Sequence, residues 1–344
     1  MQEWVKGLND DPLPWLLEPD PQNPGVRYFG LTELLDRPPG DPEVQEARCS
    51  VMARGPVPTI LEAQEPEGYW EEPGPGYRPK YRSIVWSVSM LGQLGADGSE
   101  PRIQKACKYV LEHAIDKNGA FSATATQGGA ILCLMGNLGA ALLDLGWLHD
   151  ERLHAALEWT ARAVTGKGIA PREEKDAPVR YLKSATCAPG FCCSANDRKP
   201  CAWGAVKVML AFSKLPADGQ TPLIQDAIER GLEFLLSRDP AVADYPMGYS
   251  TKPSRSWFRF GFPVFYVTDV LQNLEVLTSF GYGADPRLAN AMDLVLRKQD
   301  EQGRWKMEYT YNGKTWVNIE EKKKPSKWVT LRALRVLKRA GAGG

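Results

Sequence analysis

Apolar positions along the chain recur at helical spacing. The run DPRLANAMDLVLRKQD from Asp285 sets Leu288, Met292, Val295, Leu296 and Gln299 at helical intervals, which predicts an amphipathic helix. Three other runs have the same form: PRIQKACKYVLEHA from Pro101, DERLHAALEWTARAV from Asp150 and TPLIQDAIERGLEFLLSRD from Thr221. They open on Pro, Asp or Thr. A proline there lacks an amide hydrogen that would find no partner in a first helical turn, and the polar residues can cap it. Each follows a second kind of helix that ends in a glycine or proline stop: LGQLG at 91–95, ALLDLG at 141–146, LAFSKLP at 210–216 and LEVLTSFG at 274–281. A fifth stop, LRVLKRAG at 334–341, closes the series, and a fainter copy begins with YFGLTELLD at Tyr28. Helices of this second kind are apolar on more than one side. Val206, Val208, Met209, Leu210 and Phe212 cannot share one stripe, so they predict an inner layer covered by more polar outer helices.

The stops recur at intervals of roughly 50 to 70 residues, enough for a helical hairpin plus a loop. One hairpin cannot bury both of its faces, whereas stacked neighbours can. The expected fold is therefore all-α, with five to six hairpins in two layers. Residues 1–27 carry five prolines between Leu8 and Arg27 and read as an irregular strap, pinned by Trp4, Trp15, Leu16 and Leu17. The expected division is a strap over 1–27, a single domain over 28–340 and a tail over 341–344.

Composition narrows the function classes. Lys and Arg total 42 and Asp and Glu total 42, so the formal net charge is zero, and the basic excess of a nonspecific nucleic-acid binder is missing. No apolar stretch is long enough to span a membrane, and the N-terminus does not read as a signal peptide. A cytoplasmic location is the expectation, where structural disulfides are rare. The seven cysteines are an odd number and cannot all pair within one chain.

Two segments share the pattern Q-x3-G-x-W: Gln64 with Gly68 and Trp70, and Gln299 with Gly303 and Trp305. The pattern resembles the QW motif of the squalene cyclase and protein prenyltransferase superfamily, and with the repeated hairpins the resemblance spans roughly residues 28 to 340. It implies an α/α toroid, with each Gln capping an outer helix and stacking on the Trp of the following turn. The function it implies is binding, and conversion, of a hydrophobic terpenoid- or isoprenoid-like molecule in a central cavity. The DxDD acid motif of the cyclases is missing, as is the Asp-x-Cys zinc motif of the prenyltransferases; Lys199 stands two residues before Cys201. Two alternatives stay open: a non-catalytic binding or scaffold protein on the same fold, and a cysteine-based metal or redox protein.

Candidate chemistry concentrates in three places. Four cysteines, Cys187, Cys192, Cys193 and Cys201, fall within 15 residues, and Cys133 is the expected recruit from another inner helix. Convergent thiolates favour zinc, so these five are the candidate metal ligands, with packed or redox-active thiols as the other reading. Cys201 follows Pro200 at a helix start beside Arg198 and Lys199, a setting that favours a thiolate ligand or nucleophile. The second place is aromatic: Tyr245, Tyr249, Trp257, Arg259, Phe262, Phe265 and Tyr266 are candidate ligand contacts. Asp269 and Asp244 are the candidate cavity acids, and Asp269 also suits a helix N-terminus. The third is basic, with Lys80, Arg82, Arg255, Arg259, Lys322 to Lys324 and Lys327 either rimming one opening or standing as surface charge. His113, His149 and His154 fall on or beside outer helices and do not read as catalytic.

Overall fold

The computed structural model describes residues 7–170, 173–177 and 189–341. Its α-helices run in chain order as α1 (Leu13–Leu17), α2 (Pro24–Phe29), α3 (Pro42–Ala53), α4 (Pro56–Glu62), α5 (Ile84–Leu94), α6 (Pro101–His113) and α7 (Leu132–Asp144). They continue as α8 (Glu151–Thr165), α9 (Ala202–Phe212), α10 (Pro222–Leu236), α11 (Val270–Ser279), α12 (Ala289–Arg297) and α13 (Lys327–Gly341). Among the described residues the only β-structure is isolated bridges. The molecule is an α/α toroid. An inner ring of α2, α5, α7, α9, α11 and α13 is wrapped by α3, α6, α8, α10 and α12.

The two layers follow from the side chains. Of the residues of α5, α7 and α9, nearly all are buried, so each helix has protein on every side. The outer helices α6, α8 and α10 bury one face and expose the other. Outer helices start where the sequence signals predict. Asp150 caps α8 through the amide of Arg152, and Thr221 caps α10 through the amide of Ile224. Small residues let the inner helices approach: a Cβ on Gly136 of α7 would stand 2.2 Å from the carbonyl carbon of Lys207 on α9.

The Q-x3-G-x-W segments perform equivalent structural work. Trp70 Nε1 donates to the Ile60 carbonyl at 2.7 Å, and Trp305 Nε1 donates to the Val295 carbonyl at 2.7 Å. Each indole thus donates to a carbonyl in the last turn of the helix ten residues before it, where regular helical bonding ends. Gln64 Nε2 donates to the carbonyls of Gly68 and Arg102, tying one hairpin to the next. Gln299 instead receives the N-terminal strap: its Oε1 accepts from the Asn9 amide at 2.7 Å, and its Nε2 donates to the Gly7 carbonyl at 3.2 Å. Gly303 has a positive φ of 68° at this junction, where a Cβ would meet the Asp10 carbonyl oxygen at 2.2 Å.

The ring closes. Arg335 of α13 pairs with Glu33, just beyond α2, and Lys338 Nζ donates to the Glu33 carbonyl at 2.8 Å. Trp328 Nε1 donates to Asn23 Oδ1 at 2.9 Å, and its indole stacks on Phe262 at 4.1 Å between centroids. The final helix therefore seals the first, as expected for a closed ring and not for an open superhelix.

Candidate functional site

Inner-to-outer connections are short turns, while outer-to-inner connections are long and irregular. At the short-turn end of the ring lies a chamber of about 510 Å³. The C-terminal ends of α5, α7 and α9 form one wall, through Gln93, Asp144 and Lys214 among others. Residues of α11 and α13, with Phe29 and Glu33, form the other.

Four ion pairs line this chamber. Asp144 Oδ1 lies 2.6 Å from Lys214 Nζ, and Asp97 Oδ1 lies 2.7 Å from Arg48 Nη2. Glu33 pairs with Arg335, and Glu275 Oε2 lies 2.7 Å from Arg332 Nη2. Partial desolvation at the chamber wall shifts the Asp144 carboxyl above its ordinary range although its side chain remains 31% exposed, with Lys214 opposing the shift. The Asp97 carboxylate is held below its usual range: enclosure alone would raise it, but hydrogen bonds from Ser99 and the Arg48 guanidinium outweigh that. Phe29, Phe262 and Val264 supply the apolar part of the lining.

A buried polar core runs inward from this lining. Arg332, on α13, is 2% exposed. It holds Asp269 with two contacts of 3.0 Å, Glu275 at 2.7 Å and the Gly261 carbonyl at 2.7 Å. Burial works against its charge, and the two carboxylates more than restore it. Lys207 is wholly buried, and its ammonium donates to Gln272 Oε1, an oxygen that Thr268 also contacts. Burial pushes the Lys207 amine down to about 7, with the nearby Cys133, Asp269 and Glu275 opposing and Arg332 assisting. Ser89 and Asn137 line the chamber and also a small void at the loop-rich end, which Tyr77, Trp86, Cys133 and Tyr266 enclose. A hydrogen bond of 2.9 Å between the hydroxyls of Tyr81 and Tyr266 lies at that end.

The residues singled out from sequence divide between these places. Asp269 is an N-cap, accepting from the Gln272 amide at 2.7 Å, and is wholly engaged by Arg332. Asp244 is exposed. Phe262 lines the chamber; Tyr266 lines the small void with Trp86, which packs edge-on against Phe265. Tyr245 is buried, donating to the Leu235 carbonyl and accepting from Asn273, and packs on Trp257. Tyr249 and Arg259 are exposed. Of the basic group, Lys80 stands over Tyr266, Arg82 over Trp316 and Lys327 beside Asp20.

Cys187 lies outside the described residues. Cys192 and Pro200 form an antiparallel bridge that brings Cys193 and Cys201 together as a hydrogen-bonded thiol pair. The Cys201 thiol and the backbone around Ala195 and Asn196 lower the Cys193 thiol to about 6 against the effect of burial. Burial raises the Cys133 thiol to about 12. Among the described residues no three His, Cys, Asp or Glu side chains are placed to hold a metal. No described helix is long and apolar enough to cross a membrane.

Lys207, Asp144, Lys214, Glu33 and Arg335 escaped the sequence reading. One signal could have found Lys207: it is a single cation within an otherwise apolar helix, AWGAVKVMLAF. The chamber charges are scattered over helices and turns far apart in the chain, so no single segment marks them.

The chain matches no known protein-family profile and no curated protein. Solved structures do resemble it. A glycosyl hydrolase family 88 protein from Bacteroides vulgatus superposes with a TM-score of 0.53 at 10% identity, covering 99% of this chain and 98% of that one. A polysaccharide lyase superposes with a TM-score of 0.51 at 11% identity, covering 99% and 96%. These similarities establish the toroid fold and correct two expectations. The resemblance to squalene cyclases and prenyltransferases is not upheld, because the toroids it matches belong to other groups. The Q-x3-G-x-W pattern is a cap and turn between hairpins, so its geometry serves ring construction and carries no chemistry. The expected terpenoid or isoprenoid ligand is overturned with it, since the chamber is lined by ion pairs where such a ligand needs apolar walls. Neither the scaffold nor the cysteine-based metal or redox alternative gains support from these similarities.

Proposed function

We propose that this chain binds and processes a carbohydrate in the charged chamber. The observation that carries the reading is the lining: four cation–carboxylate pairs around a space of about 510 Å³. Sugar hydroxyls both donate and accept, so they can exchange hydrogen bonds with either member of a pair. Phe29, Phe262 and Val264 give the lining an apolar part against which the C–H groups of a sugar can pack. The volume is in the range of small-molecule sites. The names of the two similar toroids, a glycosyl hydrolase and a polysaccharide lyase, support the same class.

Asp144 is the proton donor in this reading. A carboxyl raised by its surroundings can stay protonated closer to neutral pH and protonate a leaving glycosidic oxygen. Lys214 keeps it in place and hydrogen-bonds the ligand. The test is a panel of neutral and uronic-acid oligosaccharides, with binding by calorimetry and products by mass spectrometry. Asp144→Asn is expected to retain binding within about threefold and to lose at least about 100-fold in turnover, the scale of general acid catalysis. A panel that neither binds nor turns over ends the proposal.

A further inference from the structure

Lys207 is unusual even for this interior. It is 0% exposed, on an inner helix whose neighbours are apolar. A buried ammonium normally takes a carboxylate partner. Two carboxylates are near, Asp269 at the cap of α11 and Glu275 on α11, but Arg332 of α13 binds both. The hydrogen-bond partner of Lys207 is the neutral Gln272 amide oxygen. From α7 the facing group is the Cys133 thiol, itself held protonated by burial. The position is built into the fold: the close approach at Gly136 leaves α7 no room for a side chain against the Lys207 backbone.

Lys207 is close to residues of both internal spaces. Gln272, which it contacts, lines the charged chamber, and Cys133 lines the small void on the other side. The Gln272 side chain that the amine contacts is itself part of the chamber lining.

We propose that Lys207 is a carbonyl-capturing site, whose ε-amine condenses with an aldehyde entering through the charged chamber when the Gln272 side chain swings aside. The ligand class is a small hydroxyaldehyde, including the open-chain form of a reducing sugar. The amine nitrogen attacks the carbonyl carbon and gives a carbinolamine. That species loses its hydroxyl as water and leaves an imine: one amine and one aldehyde become one imine and one water. Burial leaves the amine partly neutral near pH 7, and the protonated fraction of the same population is available to the dehydration step. An exposed lysine, with a pKa near 10.4, holds about a thousandfold less neutral amine at that pH. The inference stands apart from the carbohydrate reading, because it concerns the amine and not the glycosidic linkage.

The test uses glycolaldehyde with cyanoborohydride at pH 7, which reduces the imine to a stable secondary amine. Peptide mapping then locates the adducts. The expected result is hydroxyethylation of Lys207 about tenfold or more faster than of exposed lysines such as Lys80 and Lys322, and faster still in Gln272→Ala. Lys207→Arg, with folding verified by circular dichroism, is expected to lose the fast adduct and keep the slow ones. Adducts confined to exposed lysines in the wild-type chain overturn the proposal. Capture seen only in Gln272→Ala overturns it as well, because the native wall would then exclude the ligand. A panel of oligosaccharides that fails to bind leaves this result unaffected, so the two proposals fail separately.

Discussion

At the scale of single residues, the interior is governed by how charge is neutralised. Arg332 satisfies Asp269 and Glu275 together, and this explains why Lys207 has only an amide for a partner. The consequence for stability has a definite sign. The Lys207 amine titrates at about 7 in the folded chain, against 10.5 as its ordinary value. Between these limits the unfolded chain holds more protons, so stability rises as pH increases from about 7 toward 10.5. Lys207→Met removes that rise. Urea titrations at pH 6.5, 8 and 9.5 are expected to show a steeper upward trend for the wild type than for the variant; parallel trends would mean the amine is not displaced. Asp269 was legible in the sequence as an acid at a helix start. Its partner Arg332 was not, because the two are 63 positions apart and meet only where the adjacent inner helices α11 and α13 pack together.

At the scale of elements, the periodicity of the outer helices and the all-round apolarity of the inner ones were enough to read two layers. What periodicity misses is the contact between helices. Gly136 looked like an interruption in the apolar run LCLMGNLGAALLD, yet it is where α7 meets the Lys207 backbone of α9. A Cβ there would stand 2.2 Å from Lys207 C, and rigid backbone cannot give way as a flexible side chain can. Gly204 on the facing helix is the control, since its Cβ would stand 3.2 Å from Leu132 Cβ. Gly136→Ala is expected to cost about 1–3 kcal/mol by overpacking, and Gly204→Ala less. Chemical denaturation of both variants checks the order, and equal costs would mean that the crossing is not tight. The loops follow a different logic. The Q-x3-G-x-W segments were legible as turns because they need glycine at positive φ and an indole donor. The chamber was not, because its charges come from seven different turns and helices and converge only in three dimensions.

At the scale of the whole molecule, repeats in the sequence fit an open superhelix and a closed ring equally well. The ends decide. Trp328 of α13 joins the strap through Asn23 and packs on Phe262, while Arg335 and Lys338 reach Glu33. In an open array each repeat contacts only its neighbours, so unfolding can proceed from the ends in stages. In a closed ring every hairpin has two neighbours and no end is free to fray. Wild-type unfolding is therefore expected to be a single transition, coincident by tryptophan fluorescence and far-UV circular dichroism. Trp328→Ala removes the largest apolar group at the seam, at a cost of about 3–5 kcal/mol if the site does not collapse. It should also separate the two probes, because the opened ring regains an end from which α13 can detach before the inner helices melt. Coincident transitions in Trp328→Ala, with only the midpoint lowered, would show that the remaining contacts of Arg335 and Lys338 with the first hairpin hold the ring shut. Separate transitions already present in the wild type would mean that the seam contributes little and that the chain behaves as an open array.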